Sequence, residues 1–235
     1  MPDVKFDSGG GTASGYLAEP SSGSGPATIV LQEWWGLEQH IRNVCDRFAA
    51  EGFFALAPDL YHGESTTKPS EAQQKMMALS MQQAETDMCA AADFLSTQPG
   101  VQGSGVGSVG FCLGGGLSVW ALATCPAVAA AVSYYYVLPH AKPDFATLKG
   151  PVLGHFGGSD EFVSTEAANE LESELRDAGA DVAFHHYDGA THAFFNDIER
   201  PERVGKYDPQ AAELSWERTV GFLRNALGAS APGAR

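Results

Sequence analysis

A cysteine framed by glycines, Gly110-Phe111-Cys112-Leu113-Gly114, is where the residue types and spacing of this 235-residue chain most plainly match a chemical task. The G-x-C-x-G spacing is that of a nucleophile elbow with cysteine where serine usually stands. An elbow needs a strand entering, a cramped turn and a helix leaving. Val106 to Phe111 is a short apolar run, and Leu113 to Ala123 reads as a small-residue helix. Glycines two before and two after the nucleophile keep side chains out of a space where two backbones crowd together. Cys112 then stands at a helix N-terminus, where free N–H groups and the helix dipole favour a thiolate. The Leu113 amide faces the same space and is a candidate oxyanion donor. Alone, the pentapeptide also fits, less well, an inert buried cysteine at a strand–helix joint.

Two further polar clusters leave predicted strands downstream: Gly157-Gly158-Ser159-Asp160-Glu161 and Asp188-Gly189-Ala190-Thr191-His192. Singly, Asp160 is a turn former and His192 a surface histidine. In the order Cys112, Asp160, His192 they make a nucleophile–acid–histidine triad. Cys112 is then the nucleophile towards an acyl carbonyl. His192 holds the thiol proton and later activates water, while Asp160 fixes the imidazole tautomer and stabilises its charged form. Glu161 and Asp188 are rival acids, Asp188 the weaker because it lies four residues before His192. The Trp34 amide, after an early strand, is the expected second oxyanion donor.

The elements that must position these groups alternate. Residues 1–20 read as an antiparallel edge hairpin, and Ala27 to Leu31 as a buried strand ending in Gln32-Glu33-Trp34-Trp35-Gly36. An amphipathic helix over 38–51 follows on Ile41, Val44, Cys45, Phe48 and Ala49. Phe53 to Ala57 is the next strand, and one long helix over about 70–97 carries a stripe of Met77, Met81, Ala84, Met88, Ala91 and Leu95. Strands at 106–111, 128–134, 151–156 and 182–187 alternate with helices at 113–123, 164–178 and 208–227, and the tail from residue 228 frays. Strands alternating with helices imply an α/β fold with a mostly parallel, doubly wound sheet in a single domain over 1–235.

A net charge of −15, from 14 basic against 29 acidic residues, argues against nucleic acid or an anionic membrane as partner. No segment reaches the length of a membrane span, and the start MPDVKFDSGG lacks the layout of a signal peptide, so a cytoplasmic location is expected. Cys45, Cys89, Cys112 and Cys125 lack paired-ligand spacing and are expected as reduced thiols. His185 and His186 are adjacent on a strand and point to opposite faces, which disfavours a metal site.

QEWWG (32–36), APDLYHG (57–63), GFCLGGG (110–116), the GGSD turn (157–160) and GATHAFFND (189–197), taken in order, resemble the dienelactone hydrolase (carboxymethylenebutenolidase) family over nearly the whole chain. The resemblance implies an α/β-hydrolase fold and a Cys-Asp-His hydrolase of lactones or small esters that uses no metal or cofactor. It also implies that Glu33 contacts the nucleophile and controls its ionisation; by itself Glu33 is a strand-end carboxylate facing water. One departure concerns substrate. The family binds a substrate carboxylate with arginines, one four residues after the catalytic histidine and one on the helix after the Asp-Leu-Tyr strand end. Here the first position is Asn196, no arginine occurs between Tyr61 and Ala92, and Arg200 and Arg203 need not face the pocket. With Trp34, Trp35, Tyr61, Tyr134, Tyr135 and Phe194 as candidate pocket walls or sheet-edge packing, the expected partner is an apolar or aromatic ester or lactone. Acyl transfer on the same triad, or a non-catalytic binding or redox-sensing thiol at Cys112, are the competing readings.

Overall fold

The computed structural model describes residues 3–140, 142–199, 202 and 204–228. The strands are β1 (Asp3–Ser8), β2 (Gly11–Ala18), β3 (Gly25–Leu31), β4 (Phe54–Pro58), β5 (Val101–Phe111), β6 (Val128–Tyr134), β7 (Val152–Gly157) and β8 (Val182–Tyr187). The helices are α1 (Gln39–Ala50), α2 (Pro69–Ala78), α3 (Met81–Ser96), α4 (Leu113–Thr124), α5 (Thr165–Asp177) and α6 (Pro209–Ala226). All eight strands share one sheet in the order β1-β2-β4-β3-β5-β6-β7-β8. β1 and β2 form the edge hairpin, β2 joins β4 antiparallel, and the six strands from β4 to β8 run parallel.

Helices α1 and α6 cover one face, and α3, α4 and α5 the other, so the strands carry apolar residues on both sides. β3 and β4 are buried along their whole length. After β3 the chain turns to β4 on one side, and after α3 it returns to β5 on the other. That reversal of strand order opens a crevice beyond the carboxyl ends of β3 and β5, where open α/β sheets bind ligands. α4 enters it from below. Nearly every residue of α4 is buried, which explains why its sequence is apolar around its whole circumference.

Two expectations are corrected. The long helix over 70–97 is two helices. Leu79 and Ser80 adopt extended backbone, and the Ser80 hydroxyl caps α3 by accepting from the Gln83 amide at 3.3 Å. The break rotates the stripe: Ala84, Met88, Ala91 and Leu95 stay in the core, whereas Met77 is 57% exposed. Hydrophobic periodicity runs through a two-residue break almost unchanged, so the pattern concealed it.

The cysteines are not all reduced. Cys89 on α3 and Cys125 at the end of α4 form a disulfide, their Cα atoms 4.9 Å apart, while Cys45 and Cys112 are free. The packing of α3 on α4 brings them together across 36 residues, a proximity that no local spacing encodes. Closing a loop of that size restricts the unfolded chain and stabilises the fold by about 2–4 kcal/mol. Reduction by dithiothreitol is therefore expected to lower the melting temperature of the wild type by several degrees and to leave a Cys89→Ser/Cys125→Ser protein unmoved. Equal shifts in both proteins would rule the bridge out. Among the described residues no helix is long and apolar enough to cross a membrane.

Candidate active site

The elbow forms because its backbone has no room for side chains. A Cβ on Gly110 would strike the carbonyl of Gly114, and one on Gly114 the carbonyl of Leu31. Glycine at both positions lets α4 start flush against β3 and β5, despite the roughly 1 kcal/mol that an in-helix glycine forfeits relative to alanine. Between them Cys112 has φ 55° and ψ −115°, a conformation that L-residues rarely adopt. The β6 exit holds it there. Cys112 N donates to Tyr134 O at 3.1 Å, and Val137 N donates to Cys112 O at 3.1 Å. Cys112 is 8% exposed at the N-cap of α4, and the Leu113 N–H is the first of that helix, where no intrahelical acceptor exists.

Asp160 leaves β7 and His192 follows β8, so the parallel register sets both beside the elbow. Their buried side chains meet at 2.8 Å, His192 Nδ1 to Asp160 Oδ2. Asp160 Oδ1 accepts from the amides of Phe162 and Val163 at 2.8 and 2.9 Å, which fixes the carboxylate and leaves its other oxygen for the ring. The rival acids Glu161 and Asp188 are exposed. Tyr135 and Phe162 flank the imidazole, with ring centroids 4.9 and 5.0 Å away. Ala193, at φ 53°, turns the chain sharply after His192, and Asn196 N closes that turn on Ala193 O.

Burial by itself favours the neutral ring of His192. The charge of Cys112, the hydrogen bond that the ring donates to Asp160, the pairing with Cys112 and the charge of Asp160 outweigh it and push the pKa up to about 10. Because this value is raised above that of the unfolded chain, the resulting stabilisation is complete below about pH 6.5 and is lost as pH rises through about 10. The His192 ring in the wild type is expected to remain protonated well above pH 7 in an NMR titration. In Cys112→Ala, which removes two of the raising influences, it is expected to titrate at lower pH. Identical titrations would separate the two side chains.

A cleft of about 70 Å³ lies above Cys112. Glu33, Trp34, Trp35, His192 and Asn196 line it. Glu33 opens a turn closed by Gly36 N on Glu33 O at 3.5 Å, and Trp34 and Trp35 within that turn line the cleft. Asn196 is more than a wall: its Nδ2 donates to Glu33 Oε2 at 2.8 Å, while its Oδ1 accepts from Ile198 N at 3.0 Å. Nothing in the sequence joined these two residues, 163 positions apart.

Three expected pocket walls are placed elsewhere. Tyr134, Tyr135 and Phe194 are fully buried in the core. The Tyr134 hydroxyl pairs with Thr219 of α6 at 2.8 Å, and Phe194 packs on Tyr187 and Tyr135. They support the His192 loop from beneath. Tyr61 is buried beside the site without lining the cleft; burial, then the nearby charge of Cys112, push its hydroxyl pKa up. The walls that sequence reasoning missed are Met76, Val137, Phe162, Ile198 and Val204. Val137 and Phe162 each follow a strand end in the chain, a placement that could have flagged them, whereas Met76 in the last turn of α2 carries no such signal. Arg200 and Arg203 lie outside the described residues.

With this geometry in place, a model of the dienelactone hydrolase family matches residues 13–227. The chain is 36% identical to Protein usf of Aquifex pyrophilus over 231 residues, covering 95% of this chain and 98% of that protein. It is 32% identical, with the same coverage, to an Aquifex aeolicus protein provisionally named carboxymethylenebutenolidase. A crystal structure of a provisionally named dienelactone hydrolase from Klebsiella pneumoniae superposes with a TM-score of 0.83 at 27% identity, over 94% of this chain and 97% of that one.

Proposed function

The chain belongs to the dienelactone hydrolase family, with the α/β-hydrolase fold, and is a hydrolase acting on esters or lactones; from that premise we propose that it works through a Cys112–His192–Asp160 triad and a Cys112 acyl-enzyme. The observation that carries this reading is the 2.8 Å bond from buried His192 to Asp160, on a ring that lines the same cleft as Cys112 at the strained elbow.

In this mechanism the Cys112 thiolate attacks the carbonyl carbon, and the oxygen takes up the negative charge towards the Leu113 and Trp34 amides. As the carbon–oxygen bond breaks, His192 Nε2 gives its proton to the departing oxygen; in a lactone that oxygen stays tethered. Neutral His192 then takes a proton from water as the oxygen of that water attacks the thioester. Cys112 leaves as the thiolate and the ion pair is restored. Asp160 holds Nδ1 throughout. Glu33, fixed by Asn196 in the same cleft wall, modulates the ionisation of the nucleophile.

The substrate class follows from the walls. Trp34, Trp35, Met76, Val137 and Ile198 favour an uncharged acyl group, and 70 Å³ favours a short one, since typical ligand pockets are about 300–1,000 Å³. The amide of Asn196 is engaged with Glu33, in place of the arginine expected for carboxylate substrates. Rapid quenching during turnover of p-nitrophenyl acetate is expected to yield one acetyl group on the Cys112 peptide. Acetylation elsewhere, or none during active turnover, would refute the acyl-enzyme.

A further inference from the structure

A second groove, of about 340 Å³, adjoins the catalytic cleft and is separated from it only by residues that line both: Val137 and Phe162. It runs between the segment that follows β6 and the outer face of α5. Leu138, Ala167 and Leu171 give it apolar walls, and the Lys142–Glu174 ion pair marks one part of its rim. Phe162 is 62% exposed although its ring centroid lies 5.0 Å from that of His192. So large an apolar ring open to water gains from being covered by another apolar group. Tyr136 also lines the groove, with its hydroxyl oxygen buried out of reach of solvent.

We propose that this groove is the leaving-group subsite: it takes the alcohol portion of the ester, as an uncharged apolar chain or ring. The inference rests on the triad reading above. His192 must protonate the departing oxygen, so the alcohol portion lies beside the imidazole. Phe162, whose ring centroid lies 5.0 Å from that of the imidazole, also lines the groove. The acyl portion remains in the small cleft against Trp34 and Trp35. The two cavities therefore impose opposite length rules, a short acyl group and an extended alcohol.

Two ester series test this on the full chain. In acetates of linear alcohols from methyl to hexyl, kcat/KM is expected to rise at least about tenfold, since each buried methylene adds to binding. In ethyl esters from acetate to hexanoate it is expected to fall. Ala167→Trp and, separately, Glu170→Trp, both at exposed positions of α5, are expected to cut the hexyl-to-methyl ratio about tenfold by filling the groove. A flat alcohol series, or a ratio unchanged by both tryptophan variants, would overturn the subsite while leaving the triad standing. No turnover of any ester, methyl acetate included, would instead overturn the triad reading itself.

Discussion

Cys112→Ala is expected to reduce ester turnover by at least about 10⁴-fold, because a nucleophile acting as one unit with its base and acid leaves little behind when removed. The same position has a second, opposite expectation. A non-glycine residue at φ 55° and ψ −115° stores about 1–3 kcal/mol. Alanine retains that strain, and glycine relieves it. Cys112→Gly should therefore unfold at higher denaturant concentration than Cys112→Ala, by about 1 kcal/mol, reversing the usual order in which glycine is the less stable. Chemical denaturation of the two variants measures this directly. If alanine proves the more stable, the elbow is unstrained; if Cys112→Ala retains activity, the nucleophile is elsewhere.

That reversal separates the two readings of the elbow that the sequence alone leaves open. A buried inert cysteine would have no reason to occupy a conformation that glycine fills better. The surrounding backbone enforces the strain at this site through Tyr134 O and Val137 N.

Much of this was legible in the sequence, for physical reasons that also mark where legibility ends. Strand positions, the α4 start and the Gly110/Gly114 pair follow from periodicity and from backbone crowding, both local. The approach of Asp160 to His192 follows from a parallel sheet, which gathers strand ends on one edge. Contacts fixed only by packing were not legible. The Cys89–Cys125 bridge depends on how α3 lies on α4, and the Asn196–Glu33 bond on the turn at Ala193. The tyrosines show the same limit. Tyr134, Tyr135 and Tyr136 are consecutive at one strand end, yet the first reaches α6, the second lies against His192 and the third enters the neighbouring groove. Residue type was visible there, and direction was not.

Asp160→Asn is expected to lower kcat/KM by about 10³–10⁴-fold with the fold intact, and the hydrogen-bond pattern around the side chain gives the reason. Asp160 accepts three bonds: two from the amides of Phe162 and Val163 on Oδ1, one from His192 on Oδ2. Asparagine can still accept the two amides with its single oxygen, and doing so turns its NH₂ group towards Nδ1. A donor there forces Nδ1 to become the acceptor and moves the ring proton to Nε2, where it blocks proton uptake from water. Turning the amide over instead would set NH₂ against two backbone donors and remove the anchor of the loop. Either arrangement deprives the imidazolium of its carboxylate, so the His192 pKa should fall from about 10 as well. Steady-state kinetics and an NMR titration on the same sample separate the effects. Glu161→Ala and Asp188→Ala, both at exposed positions, are expected to stay within about twofold of the wild type, as surface changes usually do. Loss of activity in Asp188→Ala with Asp160→Asn still active would transfer the acid's role to the neighbouring loop.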